Sequence, residues 1–526
     1  MELSEIPTQW DLMVIGGGIT GAGVLAEASR LGIRALLCEE RDFAWGTSSR
    51  SSKLVHGGLR YLRQGRFRLT YQSVRNRQRL LNEASGLVTP IPFLMPVRRS
   101  MGPGKRATGL GLFLYDLMAG RKAHSYLGKE EFSVLAPGLR QADLRGGFLF
   151  WDAQTDDARL VLRLIFEALC RGASALNYTR VLALSRDSSG KVSGALLEDT
   201  LTGQTKEIFA KAVINATGPR AESFQRSPDP QHRLRALRGS HLVFPHWSLP
   251  VRSAVTLIHP GDGRPLFIFP WEGVLIVGTT DVDHLEDLSM EPAMSPQEAS
   301  YTLECLRFHF PSWQGGLREA ICGYAGVRSV ISEDPAKPPS KESREHSVWR
   351  ERGLVTVTGG KLTTFRVLAR DALHAAAGEL GLSGKLDLSA PAYEPVPKPP
   401  GMGSRVSPAV WMRLFGRYGK KAMEILRKAP EEQLEPIAGT SILWAELVHA
   451  AGSEMVRHLE DLLLRRVRLG LLARQGGLEH LGRIQELCGP ALGWDQPRWE
   501  REKRAYLETI RRAYRVPEVP EPCPDG

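Results

Sequence analysis

The 526-residue sequence has no apolar stretch approaching the roughly 20 residues that a membrane-spanning helix needs. A chain that crosses a bilayer by helices is therefore not expected. Its six cysteines, at 38, 170, 305, 322, 488 and 523, include no CxxC pair. That argues against a zinc site and a dithiol redox motif, and no metal is expected. Six in so long a chain are too sparse for a disulfide framework, so a reducing compartment is the simpler setting. The first apolar run, residues 12–15, is too short for the core of an export signal, and acidic rather than basic residues precede it. No EF-hand loop pattern occurs, which removes the usual basis for calcium control. Internal repeats and low-complexity blocks are missing too. So are an aromatic-rich stacking segment and any known RNA-binding module, and nucleic acid is not expected as a partner.

What is present suits a multidomain globular protein. The length exceeds what one core serves, so two or three domains are expected. Hydrophobic content is 42% and charged content 24%, both ordinary for a soluble fold. The net charge of +11 and pI of about 9.4 favour anionic partners such as acidic lipid or a phosphorylated substrate.

Along the chain, Asp11-Leu-Met-Val-Ile15 reads as a short buried strand running into Gly16-Gly-Gly-Ile-Thr-Gly21 and a small-residue helix that ends near Leu31. Residues 33–38 read as a second strand closed by Glu39, completing a βαβ unit. Two later stretches, Ala212-Val-Ile-Asn-Ala-Thr-Gly218 and Leu354-Val-Thr-Val-Thr-Gly-Gly360, are further strands ending in glycine turns, the second followed by a helix over 362–380. Between them lie β-rich stretches such as 265–280. Residues 391–404 read as a proline-rich linker, 405–515 as helical throughout, and 516–526, with four prolines, as a disordered tail.

Gly16, Gly18 and Gly21 satisfy GxGxxG. The first glycine allows a tight turn, the second lets backbone approach a pyrophosphate, and the third lets helix and strand pack closely. The pattern follows a strand, opens a helix, and has Glu39 eighteen residues on, where a ribose hydroxyl needs an acceptor. The hydroxyl-rich segment Gly46-Thr-Ser-Ser-Arg-Ser-Ser-Lys53 and the loops at Asn215-Ala-Thr-Gly218 and Gly359-Gly360 lie in remote parts of the chain. Their convergence on one cofactor suits a long, buried dinucleotide such as FAD.

At these residues the sequence resembles the FAD-dependent glycerol-3-phosphate dehydrogenases of the aerobic type, within the D-amino-acid-oxidase-like flavoproteins. The resemblance runs from about residue 9 to residue 375. It rests on Ser51-Ser-Lys-Leu-Val-His-Gly-Gly-Leu-Arg-Tyr-Leu62, Gly111-Leu-Phe-Leu-Tyr-Asp116, Asp156-Asp-Ala-Arg-Leu-Val161, Asn215-Ala-Thr-Gly-Pro219, Gly239-Ser-His241, Val277-Gly-Thr-Thr-Asp281, Gly326-Val-Arg328 and Gly359-Gly-Lys-Leu-Thr-Thr364. One departure is Ser329, where the family usually has proline. The fold class expected is α/β (α+β): a discontinuous Rossmann-like FAD-binding domain with a β-rich substrate domain and a C-terminal α-helical domain. The FAD-binding pieces are placed at about 1–90, 150–240 and 340–390, and the substrate-domain pieces at about 91–149 and 241–339. The cofactor contacts expected are Gly16, Gly18, Gly21, Glu39, Thr47, Ser48, Lys53, Leu54, Thr217, Gly218, Gly360, Lys361, Leu362 and Thr363.

The resemblance implies oxidation of sn-glycerol 3-phosphate to dihydroxyacetone phosphate, with electrons passed to a membrane quinone. Such a reaction needs a hydride acceptor, a proton acceptor and a fixed phosphate. Arginine binds phosphate oxygens with a bidentate fork. Arg60 and Arg328 are therefore assigned the phosphate end, and Lys361 the oxygen near C2. An imidazole with a pKa near 6.5 suits proton acceptance at neutral pH. His56 is the expected base and His241 the second choice, as a substrate or flavin neighbour.

Two basic stretches stand apart from the site. Residues 60–79 hold seven arginines and no acid, and residues 98–122 hold six basic residues and one acid around the apolar run 110–118. A peripheral contact with an anionic membrane and a plain solvated face are both compatible with that pattern. The expected location is cytoplasmic, with a peripheral position on the inner face of the cell membrane, and a homodimer, left open. The alternatives to the dehydrogenase are a glycerol-3-phosphate oxidase using O2, an amine or 2-hydroxyacid flavoprotein oxidase and, at a distance, an RNA-binding flavoprotein.

Overall fold

The computed structural model describes residues 2–59, 62, 65–120, 122–224, 233–332, 342, 345–383, 386–387, 389–397 and 405–519. Two sheets organise it. The first has the strand order His346–Glu351, Leu354–Gly359, Thr205–Asn215, Gln9–Ile15, Ala35–Cys38 and Ser174–Leu176, with a hairpin of Thr179–Arg186 and Val192–Asp199 attached to Thr205–Asn215. Five of these strands run parallel. Along the opening strand Leu12 and Val14 enter one core, with the helices Ile19–Arg30, Asp157–Cys170 and Phe365–Ala375, while Met13 and Ile15 enter another under the hairpin. Both faces are covered, which is why the strand reads as one apolar run rather than an alternation.

The second, ten-stranded sheet is largely antiparallel. Its strands Val88–Arg98, Leu144–Thr155, Leu234–Pro245, Pro265–Trp271, Val274–Gly278 and Cys322–Ile331 come from the segments between the pieces of the first sheet. The expected architecture of interrupted α/β and β-rich parts is thus what the chain adopts.

The C-terminal helices join the other parts through buried surface. Leu459, Leu462, Leu463, Leu464 and Val467 share a core with Phe93, Phe150, Trp271 and Tyr324 of the second sheet. Asp461–Arg466 is a π-helical turn buried on all sides, arginines included. The 391–404 stretch also departs from a free linker. Ala392 and Tyr393 are buried in the first core, the Ala392 N–H donates to Glu83, and residues 398–404 lie outside the described residues. At the tail, Val516 and Val519 pack on the second sheet's core, and 520–526 lie outside the described residues. No helix among the described residues is long and apolar enough to cross a membrane, and none of their His, Cys, Asp and Glu side chains form a metal-binding group.

Candidate functional site

The parallel strands place the site. Gln9–Ile15, Ala35–Cys38, Thr205–Asn215 and Leu354–Gly359 all point their carboxyl ends to one edge of the first sheet. The chain leaves Gln9–Ile15 toward Ala35–Cys38 on one side, while Thr205–Asn215 lies on the other. That is a topological switch point, where open α/β sheets bind ligands. A cavity of about 580 Å³ opens there. It is lined by Gly16 and Gly18, Glu39, Thr217 and Gly218, and Gly360 and Lys361, one group from each strand end. From Glu39 to Lys361 the floor spans three strand spacings, roughly 14 Å, long enough for an extended dinucleotide.

The glycine turn is built as its spacing requires. Gly16 has φ of 108°, and a Cβ there would stand 2.7 Å from the Ala216 carbonyl oxygen. A Cβ at Gly21 would stand 1.9 Å from the Gly16 oxygen, so Gly21 serves the contact between helix and turn and does not itself line the cavity. Glu39 Oε2 accepts from the Gly17 N–H at 2.6 Å and Oε1 from the Arg41 N–H at 3.0 Å. Burial pushes this carboxyl up, and the two N–H groups oppose the shift. The Ser48 hydroxyl accepts from the Ile19 N–H at 2.9 Å, folding the 46–53 loop over the helix N-terminus.

Of the expected cofactor contacts, Thr47, Ser48, Leu54, Leu362 and Thr363 also line the cavity. Lys53 does not. Its ammonium is fully buried behind the loop, 3.0 Å from Asp157 and 3.1 Å from the Ser49 carbonyl oxygen. The Asp157 carboxylate also accepts from the backbone and the hydroxyl of Ser51. Lys53 therefore braces the loop, a role that its place in a hydroxyl-rich run does not reveal.

The second sheet roofs the Lys361 end. His241, Tyr324, Gly326 and Arg328 share one face across the pairs His241–Tyr324, Gly239–Gly326 and Leu237–Arg328. His56, His241, Arg328 and Lys361 all line the same cavity, although more than 300 residues separate the first from the last. Arg60 lies outside the described residues. The Lys361 ammonium donates to the Ser73 hydroxyl at 3.0 Å. Behind His56, the Gly57 N–H donates to the Tyr115 hydroxyl at 2.8 Å, and Tyr115 and Arg77 both donate to Asp152. Arg77 thus leaves the basic surface stretch and is buried. Ser329 bonds Thr358 at 3.1 Å, so the position where proline is usual pins the Arg328 strand to the first sheet.

His241 is 2% exposed, stacks on Tyr324 at 4.7 Å, and shares a 2.8 Å hydrogen bond between Nε2 and the Ser52 hydroxyl. Burial, reinforced by the charges of Lys53 and Arg328, pushes it well below the usual imidazole range. It is therefore neutral and a weak proton acceptor. Its Nδ1, the Thr363 hydroxyl and both ring nitrogens of His284 are buried at the cavity wall without a protein partner. Buried polar atoms of this kind need a ligand or water. Together with the glycine cradle, they fit a bound dinucleotide.

Sequence reasoning missed several wall residues. Ser52 lies inside a quoted motif and was readable as a hydroxyl neighbour. Arg50 lies in the same quoted hydroxyl-rich segment, whereas Arg220 and His284 carry no local signal. Arg50 is held by Glu291, and Arg220 by Glu40.

Residues 11–380 match the family described as FAD dependent oxidoreductase, and residues 368–499 match the C-terminal domain of alpha-glycerophosphate oxidase. An aerobic glycerol-3-phosphate dehydrogenase of Staphylococcus haemolyticus is 33% identical over 483 residues, covering 87% of this chain and 86% of its own. One of Staphylococcus aureus is 31% identical over 534 residues, covering 96% and 94%. Among solved structures, the glycerol-3-phosphate dehydrogenase from Bacillus halodurans complexed with FAD superposes with a TM-score of 0.74 at 28% identity, over 95% of both chains. The L-alpha-glycerophosphate oxidase from Mycoplasma pneumoniae shares the fold, with a TM-score of 0.58 at 18% identity, over 74% of this chain and 99% of its own.

Proposed function

The chain belongs to the FAD-dependent glycerol-3-phosphate dehydrogenase family, and from that premise we propose that it oxidises sn-glycerol 3-phosphate to dihydroxyacetone phosphate. The observation that carries this reading is a single cavity with a dinucleotide cradle along its floor and His56, His241, Arg328 and Lys361 at one end. Bound FAD supplies the hydride acceptor, N5 of its flavin. The chain's own residues position the substrate and move the proton.

Arg328 holds the phosphate, because a guanidinium can meet two phosphate oxygens at once. Arg60 is read as its companion from the motif that contains it. Lys361, tethered to Ser73, offers its charge to the oxygen on C2. His56 takes the hydroxyl proton. Its main chain is fixed by the Tyr115–Asp152–Arg77 network, so the base is held at a set distance from the floor. His241, neutral and tied to Ser52, orients substrate or flavin rather than accepting the proton.

We further read the electron acceptor as a membrane quinone and the helices Phe67–Glu83 and Lys105–Ala119 as the lipid-facing side. Phe67, Tyr71, Leu110, Phe113 and Leu117 project from these helices with 51–69% exposure, and Arg68, Arg75, Lys105 and Arg106 are exposed beside them. Apolar side chains that can enter the acyl boundary, ringed by cations, suit an anionic lipid surface.

The test is anaerobic mixing of the purified yellow protein with sn-glycerol 3-phosphate while the oxidised-flavin band is followed. Prompt bleaching, absent with glycerol and with amino acids, supports the substrate. A band that persists refutes it. Slow recolouring by O2 and fast recolouring by a soluble quinone favour the dehydrogenase over the oxidase.

A further inference from the structure

The wall of the cofactor cavity formed by residues 42–53 has almost no regular structure beyond the single turn Thr47–Ser49. It includes Trp45, Thr47, Ser48 and Ser52 of the lining. Two of its non-glycine residues are left-handed, Ala44 with φ of 61° and Lys53 with φ of 54°, and both are buried. Such conformations persist only where the surroundings over-determine them. Contacts within the loop supply part of the restraint, among them the Trp45 N–H to the Asp42 carbonyl oxygen at 3.0 Å and the Arg50 N–H to the Thr47 carbonyl oxygen at 3.1 Å, and further restraint comes from elsewhere in the chain.

Much of it comes from the C-terminal helices, over 400 residues away. Arg466 donates to both carboxylate oxygens of Asp42, at 2.6 and 2.8 Å, and its Nε donates to the Glu454 carbonyl oxygen at 3.0 Å. Arg465 donates from Nε to Asp42 and from Nη2 to Asp461, each at 2.5 Å. Arg468 donates to the Ser49 carbonyl oxygen at 2.6 Å. Arg50 Nε donates to the Tyr514 hydroxyl at 3.2 Å. On a regular α-helix, residues 465 and 468 would share a face, but 466 would point about 100° from 465 and about 160° from 468. The π-helical turn Asp461–Arg466 and the left-handed Arg468, with φ of 70°, re-aim them. π-turns of this kind are frequent at functional sites.

We propose that Arg465, Arg466 and Arg468 are positioning residues that lock the 42–53 loop in the shape FAD requires, so that retention of FAD depends on the C-terminal helices. By linkage, bound FAD strengthens the docking of residues 454–468 in return. The inference rests on FAD occupying this cavity. A wild-type protein without flavin would defeat that premise, whereas a yellow wild type with unaffected variants would defeat the lock alone.

The experiment compares FAD release from the holoenzyme, read by recovery of free-flavin fluorescence, with thermal unfolding at saturating FAD. Arg466→Lys and Arg468→Lys keep a charge and lose the fork. Each should release FAD at least about 10-fold faster, the factor that loss of one hydrogen bond to a charged partner implies. Arg163→Lys is the control. Arg163 is also buried and ties the helix Asp157–Cys170 to the Gly416 carbonyl oxygen at 2.7 Å, and its other hydrogen bonds go to Glu167 and the Glu394 carbonyl oxygen, away from residues 42–53. It should lower the unfolding temperature and leave FAD release within about twofold. Release unchanged in Arg466→Lys, or raised equally in Arg163→Lys, overturns the lock. Should the lysine variants fail to fold, hydrogen exchange on the wild type decides. Residues 454–468 should lose protection when FAD is removed, and equal protection in apo and holo forms refutes the coupling.

Discussion

Replacing Gly21 by alanine places a methyl group 1.9 Å from the Gly16 carbonyl oxygen. On helix propensity alone the change should help, since alanine exceeds glycine by about 1 kcal/mol inside a helix. The contact reverses the sign. Real Cβ atoms keep at least 3.0 Å from a neighbour, so helix and turn must part by about 1 Å. The obstacle is backbone that cannot swing aside. Gly16 itself is pinned at φ of 108° against Ala216. Overpacking costs about 1–3 kcal/mol, and an unyielding backbone obstacle puts this case near the top, for a net loss of about 2 kcal/mol. A glycine turn of this type is where a pyrophosphate is expected to sit, so flavin content should fall with stability. Gly482→Ala is the matched control. It also lies in a helix, Leu481–Leu492, but a Cβ there meets nothing within 4 Å, so the variant should gain about 0.5–1 kcal/mol. Urea unfolding with and without added FAD, and flavin absorbance per protein after gel filtration, measure both. A Gly21→Ala protein with wild-type flavin content and unfolding midpoint would refute the reasoning.

Three further outcomes are expected. Arg328→Ala should raise the substrate concentration for half-maximal anaerobic flavin reduction about 100-fold, with Arg328→Lys recovering part of it, since charge-assisted bonds contribute about 1.5–3 kcal/mol; an unchanged value removes Arg328 from the phosphate. Burial pushes His309 down to about 4, its Nε2 donating to the Ile258 carbonyl oxygen at 2.8 Å. The unfolded chain takes up that proton near pH 6.5 and the folded one only near 4, so stability is full above pH 6.5 and falls as pH drops toward 4, by roughly 3 kcal/mol over the whole shift. His309→Gln should flatten that slope in pH-dependent urea unfolding, and an unaltered slope would contradict the assignment. Finally, Phe113→Ser with Leu117→Ser should weaken sedimentation with anionic vesicles while leaving anaerobic flavin reduction intact, and undiminished sedimentation would move the lipid contact elsewhere.

The cradle is legible in a contiguous run of residues. Strand, glycine turn, helix and Glu39 are contiguous, and each position is set by a local demand on backbone space or by a buried strand that must be apolar on both faces. The loops at Thr217 and Gly360 were legible for the same reason, as strand ends marked by glycine. Membership of His56, His241, Arg328 and Lys361 in one site was legible only through resemblance, because nothing in their local spacing brings them together. The fates of the charges depend on long-range packing. Arg77 reads as part of a basic stretch and Lys53 as a cofactor contact, and Arg465 and Arg466 carry no local signal, yet all four are buried on carboxylates, Arg465 and Arg466 on Asp42 more than 400 positions away. A charge can enter a protein interior only when a partner meets it there. Which partner arrives depends on how the sheets and the C-terminal helices close on each other, and no periodicity in the chain records that.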